Sequence, residues 1–126
     1  MNDLLNCVAI DDDQIALDII GEFCSKSRLL NLTGTFTNPL DAVPVLNNGK
    51  TDLLFLDIIM PQISGIEFLK SLYNPPMVIF TTAFKEYAFE GFENNAVDYL
   101  VKPYTFDRFS RAVSKAVQHL GIGIPG

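Results

Sequence analysis

The 126-residue sequence predicts a single-domain α/β fold, a doubly wound (βα)5 arrangement around a parallel five-stranded sheet in the order 2-1-3-4-5. Three observations lead there. Short apolar runs alternate along the chain with segments of helical periodicity, the pattern of βαβ units joined by right-handed crossovers. The run Leu53-Leu54-Phe55-Leu56 is apolar at every position, which marks a strand buried on both faces, since a half-exposed strand would alternate. Finally, several runs end in polar residues (Asp11, Asp57, Thr82, Lys102) that such a sheet gathers at the carboxyl ends of its strands, where open α/β folds place their ligands.

In order, Leu4 to Ile10 is the first strand and ends at Asp11-Asp12-Asp13. From Gln14, the residues Ile15, Leu17, Ile19, Ile20 and Phe23 give a helix one broad apolar face, with Asp13 as its N-cap. Leu29 to Phe36 is a second strand, weakened by Gly34. Asn38 then caps a helix with Pro39 at its first position, and Pro44 should kink or shorten it. Beyond Asp57, Pro61 to Gly65 is a loop, and Ile66, Phe68, Leu69 and Leu72 mark a short helix stopped by Asn74-Pro75-Pro76.

Met77 to Phe80 is the fourth strand, running into Thr81-Thr82-Ala83. Phe84 to Phe92 reads as an aromatic-rich helix ended by Asn94-Asn95; most of Phe84, Tyr87, Phe89 and Phe92 should be core, with Phe89 off the shared face and exposed. Asp98 to Val101 is the fifth strand. Thr105 caps a last helix in which Phe106, Phe109, Val113, Ala116, Val117 and Leu120 recur at helical spacing, and His119 sits near its end, favourable to the helix dipole. The domain therefore spans residues 1–120, and residues 121–126 read as the start of a linker or disordered tail.

Composition narrows the possible functions. No apolar run approaches membrane-spanning length, and the N-terminus lacks a basic region followed by an apolar stretch, so a soluble, cytoplasmic domain is expected. A net charge of −6 argues against a grip on a nucleic-acid backbone; DNA binding, if any, would belong to a segment not present here. Cys7 and Cys24 lack metal-ligand spacing and should behave as small buried hydrophobes.

In the 2-1-3-4-5 order the first and third strands are neighbours, so Asp11, Asp12 and Asp57 converge, with Thr82 and Lys102 on the same edge. A single strand-end aspartate is usually a turn cap. Three carboxylates within about 5 Å are different, because each pair repels by roughly 3 kcal/mol at an effective dielectric near 20. A hard divalent cation with oxygen ligands, Mg²⁺ being the usual one, would offset that repulsion. With the cluster neutralised, Asp57 can act as a nucleophile toward a phosphoryl group, Lys102 supplies an ammonium, and the Thr82 hydroxyl can donate to a phosphoryl oxygen.

The Asp11-Asp12 pair, Asp57 followed by Met60-Pro61 and Gly65, Thr82-Ala83, and Lys102-Pro103 together resemble the receiver domain of two-component response regulators over residues 5 to 120. That resemblance implies the CheY-like, flavodoxin-like fold. It also implies that Asp57 accepts phosphate from a sensor histidine kinase. Asp12, Asp57 and the Ile59 backbone carbonyl would bind Mg²⁺, assisted by Asp11; Thr82 and Lys102 would contact the phosphoryl group; Tyr99 would be the aromatic that changes rotamer; and the Lys102-Pro103 bond would be cis. Phe80-Thr81-Thr82-Ala83-Phe84, Glu86-Tyr87-Ala88 and Asn95 to Leu100 look like the branch with a LytTR DNA-binding output. Because an exposed aromatic such as Phe89 among charged neighbours often marks a contact site, the fourth helix, the fifth strand with Tyr99 and the final helix are expected to form the surface of a homodimer after phosphorylation. The domain would promote its own phosphorylation and dephosphorylation without being an enzyme in the ordinary sense.

Other families fit less well. A haloacid-dehalogenase-like phosphatase would need a second acid where Ile59 stands, and a flavodoxin would not line its phosphate loop with three carboxylates. A non-phosphorylated interaction module would normally have lost the acceptor, the metal pair or the lysine.

Overall fold

The computed structural model describes residues 4–87 and 96–120. Its elements run β1 (Leu5–Ile10), α1 (Gln14–Lys26), β2 (Leu30–Phe36), α2 (Pro39–Leu46), β3 (Leu53–Asp57), α3 (Gly65–Ser71), β4 (Met77–Thr82), a 3-10 turn (Lys85–Tyr87), β5 (Asp98–Val101) and α4 (Phe106–Leu120). All pairings are parallel, and the five strands lie in the order β2-β1-β3-β4-β5 that the sequence predicts.

Side-chain alternation divides the apolar residues between two cores, one on each face of the sheet. Leu5, Cys7 and Ala9 of β1, with Leu53 and Phe55 of β3, pack under α1 and α4 through Leu17, Ile20, Phe109 and Val113. Val8, Ile10, Leu54 and Leu56 pack on the other face against Ala42, Leu46, Phe68 and Leu69 of α2 and α3. Burial on both faces is why β3 is apolar without alternation, and all five of its residues are buried. Both cysteines are free and buried.

Local signals behave as read. Asp13, Asn38 and Ser64 cap their helices by accepting from Ile15 N, Leu40 N and Glu67 N, and the Thr105 hydroxyl accepts from Arg108 N at 3.1 Å. Pro44 falls inside α2, which stops at Leu46. The weakness expected at Gly34 is a bulge: the register passes from Cys7↔Leu32 to Val8↔Gly34, and the skipped Thr33 donates its hydroxyl to the Cys7 carbonyl at 3.1 Å.

Two expectations fail. The broad apolar face of α1 is only partly buried: Ala16, Leu17, Ile20 and Cys24 form the packed stripe, while Ile15 is 69% and Ile19 41% exposed. These two lie one turn apart on the helix flank, outside the stripe that meets the sheet. Phe84, expected in the core, is 50% exposed and meets Tyr87 edge-on. It precedes the 3-10 turn and so carries no helical face to bury. The remainder of the helix expected over Phe84 to Phe92, including Phe89 and Phe92, and the tail at 121–126 lie outside the described residues.

Candidate functional site

Pairing of β1 with β3 brings the end of one strand beside the end of the other. Asp57 is the last residue of β3, and Asp11 follows β1 directly. Both are buried, at 5% and 0% exposure, whereas Asp12 is exposed at the rim. The three offer carboxylate oxygens that all lie within 4.8 Å of one another. Lys102, just past β5, reaches back over the end of β4 and places Nζ 2.7 Å from Asp11 Oδ2 and 3.5 Å from Asp57 Oδ1. The other Asp11 oxygen, Oδ1, accepts from Asp13 N at 2.9 Å, which fixes the carboxylate at the start of α1.

Backbone contacts hold these positions. Ile58 N donates to Thr81 O at 3.0 Å and Lys102 N to Thr82 O at 2.7 Å, extending the ladder one residue past β3 and β5. Gly65 N donates to Ile58 O at 2.7 Å. A Cβ at Gly65 would collide with the Asp57 carbonyl oxygen, so the loop carrying Ile59 can fold back only over a glycine. Ile59 itself is 43% exposed in that loop. The Lys102-Pro103 bond is cis.

Electrostatics follow from the burial of like charges. Burial, then the Asp11 charge, pushes the Asp57 carboxyl up to about 7 against the opposing pull of Lys102. Burial alone would favour a neutral Lys102 amine, but the Asp11 hydrogen bond and the Asp57 charge hold it above its ordinary value. One ammonium among three carboxylates leaves the cluster net negative. An oxygen-only donor set with buried and exposed members fits a hard divalent cation that keeps part of its water.

Thr82 and Tyr99 lie on the opposite face. Thr82 is 1% exposed, and its hydroxyl accepts from Phe84 N at 3.0 Å and donates to Phe84 O at 3.3 Å, so it caps the turn after β4. Tyr99 is buried and stacks on Phe80, ring centroids 6.1 Å apart. Burial, helped by the Asp98 charge, pushes its phenol up to about 12.

The family model for the response regulator receiver domain matches residues 7–114. The chain belongs to the response regulator receiver family. It is 38% identical over 118 residues to an uncharacterised response regulatory protein of Vibrio cholerae serotype O1, covering 91% of this chain and 49% of that one. The transcriptional regulatory protein BtsR of Escherichia coli strain K12 is 32% identical over 117 residues, with coverage of 91% and 49%. The chain thus spans about half the length of the curated relatives it matches. Among solved structures, the response regulatory domain of protein mrkE from Klebsiella pneumoniae superposes with a TM-score of 0.81 at 28% identity, covering 93% of this chain and 98% of that one.

The receiver domain is a signalling domain rather than a conventional enzyme. No helix among its described residues is long and apolar enough to cross a membrane. The structure brings together Asp11, Asp12, Asp57 and Lys102, leaves Ile59 in the exposed loop two residues past Asp57, and sets Thr82 and Tyr99 on the other face of the sheet. Sequence reasoning missed the role of Asp98. Its buried carboxylate takes both guanidinium nitrogens of Arg108 at 2.8 and 2.9 Å and faces Lys115 at 3.3 Å, while Arg108 also donates to Tyr99 O at 2.9 Å. An acid opening a strand, with a base ten residues on in the next helix, was the available signal.

Proposed function

We propose that this receiver domain takes a phosphoryl group onto Asp57 from the phosphohistidine of a sensor histidine kinase, in an Mg²⁺-dependent reaction. Phosphorylation switches the domain to an active state that controls an output, a LytTR DNA-binding domain that regulates transcription. The observation carrying this reading is the Lys102 bridge between two buried carboxylates, with a third carboxylate at the rim. So concentrated a charge is costly unless it is used.

Asp11, Asp12, Asp57 and the Ile59 carbonyl are the groups that would hold Mg²⁺, which when bound supplies positive charge to the carboxylates and to the phosphoryl oxygens. An Asp57 Oδ attacks phosphorus as the N–P bond of the phosphohistidine breaks; the histidine nitrogen keeps the bonding pair and is protonated from solvent. Lys102 leaves Asp11 for a phosphoryl oxygen, and Thr82 releases the Phe84 backbone to donate its hydroxyl to another. The active state is one with Thr82 turned inward and the Tyr99 ring buried in its switched rotamer; here Tyr99 is 5% exposed and the Thr82 hydroxyl is held by the Phe84 backbone. The phosphorylated state favours the conformation that makes these contacts, a population shift.

Exposed Ile15 and Ile19 flank a groove of about 150 Å³ that Lys102 and Pro103 also line. An apolar patch beside Lys102 suits docking of the kinase segment that presents the phosphohistidine. The surface of β5, α4 and the helix expected after Phe84 serves a homodimer of the active form. Intact mass after incubation with acetyl phosphate tests the reading: wild type gains one phosphoryl group only with Mg²⁺, and Asp57→Asn gains none. A folded wild type that gains none would put the non-phosphorylated interaction module first.

A further inference from the structure

Thr81 is 1% exposed, and its hydroxyl finds no hydrogen-bond partner among the described residues. A buried hydroxyl left unpaired is destabilising, and valine would fill the same volume with better strand propensity and nothing to satisfy. In the parallel ladder Thr81 is the register partner of Asp57, so the two side chains leave the sheet on the same face at the same rung. Its neighbour Thr82 faces the other way, toward the core that holds Phe80 and Tyr99. The other register partner of Thr81, Leu100, offers no acceptor. An unpaired donor therefore stands one strand over from the proposed acceptor, at the same rung and on the side away from Asp11, without yet bonding to it.

We propose that Thr81 is a positioning residue for the phosphoacceptor: its hydroxyl donates to the Asp57 oxygen that stays unesterified and so turns the other oxygen toward the incoming phosphorus. This rests on Asp57 being the acceptor. In the structure described, Lys102 holds Asp57 Oδ1 only loosely, at 3.5 Å, because it is drawn to Asp11. Once Lys102 turns to a phosphoryl oxygen, Asp57 loses that contact, and Thr81 is the neutral donor placed to hold the carboxylate in one rotamer. No proton leaves Thr81: the Oδ–P bond forms, the donor's bond to phosphorus breaks with its electron pair, and the hydroxyl stays intact.

The test compares wild type, Thr81→Val and Thr81→Ser in two measurements: the phosphorylation rate with acetyl phosphate and Mg²⁺, and the urea midpoint without Mg²⁺. Serine keeps the hydroxyl but leaves a methyl-sized gap; valine keeps the volume but loses the donor. Positioning predicts opposite orders. Thr81→Val should phosphorylate about tenfold more slowly, the size of one lost hydrogen bond to a charged group, at a midpoint equal to or above wild type. Thr81→Ser should keep a rate near wild type at a lower midpoint. A Thr81→Val rate equal to wild type, or rates that follow stability in all three proteins, would overturn the proposal. If wild type itself takes up no phosphate, the failure lies with the acceptor reading instead.

Discussion

Lys102 donates to Asp11, not primarily to the proposed acceptor: its Nζ sits 2.7 Å from Asp11 Oδ2 and 3.5 Å from Asp57 Oδ1. Asp11 is fully buried, and the Lys102 side chain is 25% exposed. Removing the ammonium leaves two buried carboxylates facing each other. Lys102→Met, which keeps most of the apolar stem, should lower stability by roughly 2–3 kcal/mol at neutral pH without Mg²⁺. Saturating Mg²⁺ should narrow the gap, because a bound cation supplies the missing charge. Urea unfolding of both proteins with and without the ion reads this directly; equal midpoints in the metal-free buffer would remove the bridge from the account.

Asp57→Asn should make the metal-free protein more stable at neutral and alkaline pH. Burial and Asp11 raise the Asp57 carboxyl from 3.8 to about 7 in the folded state. A raised value means that the folded state holds its proton more tightly, so the stability it confers is complete below pH 4 and is lost as pH rises toward 7. Three units correspond to about 4 kcal/mol at most. The asparagine variant does not titrate, so its advantage should open between pH 4 and 7 and shrink again when Mg²⁺ is added to wild type. Thermal melts across that range check it. An advantage that does not vary with pH would place the effect in packing rather than charge.

What was legible in the chain follows from where each signal is written. The strands were plain because Leu53 to Leu56 and Val78 to Phe80 are buried on both faces and need no partner to be recognised. Asp11, Asp57 and Lys102 were legible because a parallel sheet of this order forces strand ends together. Ile15 and Ile19 misled because periodicity reports an apolar stripe but not its width; the packed part of α1 is narrower than its apolar part. Thr82 ends β4, yet its hydroxyl turns to the Phe84 backbone, a choice made by turn geometry. Asp98 and Arg108 were missed because a contact across a strand–helix junction leaves no periodic trace.

Gly65→Ala tests the loop that frames the site. The added Cβ meets the Asp57 carbonyl oxygen and the Ile58 Cα, both backbone, so neither can give way as a side-chain tip would. Overpacking of this kind typically costs 1–3 kcal/mol, and about 2 kcal/mol is expected here. Because the displaced segment carries Ile59, Mg²⁺ affinity should weaken as well, whereas a remote packing defect would lower the melting temperature alone. Mg²⁺ titration beside calorimetry separates the two outcomes.

Ile15→Glu should separate docking from chemistry. At 69% exposure the side chain contributes little to the fold, so stability should stay within about 0.5 kcal/mol of wild type. Phosphorylation by acetyl phosphate, which needs no docking surface, should be unchanged, and transfer from the cognate histidine kinase should fall several-fold. Equal loss from both donors would move Ile15 from the docking surface to the acceptor site.

The buried acid of β5 predicts how acid unfolds this protein. Burial opposes the charge of Asp98, but the Arg108 hydrogen bonds, the Tyr99 amide and the Lys115 charge outweigh it and hold the carboxyl below its ordinary value. A lowered value gives stability that is present above about pH 4 and lost as pH falls through the folded-state pKa. Asp98→Asn should therefore be less stable than wild type at pH 7, by about 1–2 kcal/mol once the partial exposure of Arg108 and Lys115 is discounted. That gap should close toward pH 2. Arg108→Ala should lose more, because it strands a buried carboxylate and also removes the bond to Tyr99 O that ties α4 to β5. Denaturation of the two single variants and the double variant between pH 2 and 7 measures the coupling. A gap that persists unchanged to pH 2 would mean that Asp98 acts by shape and not by charge.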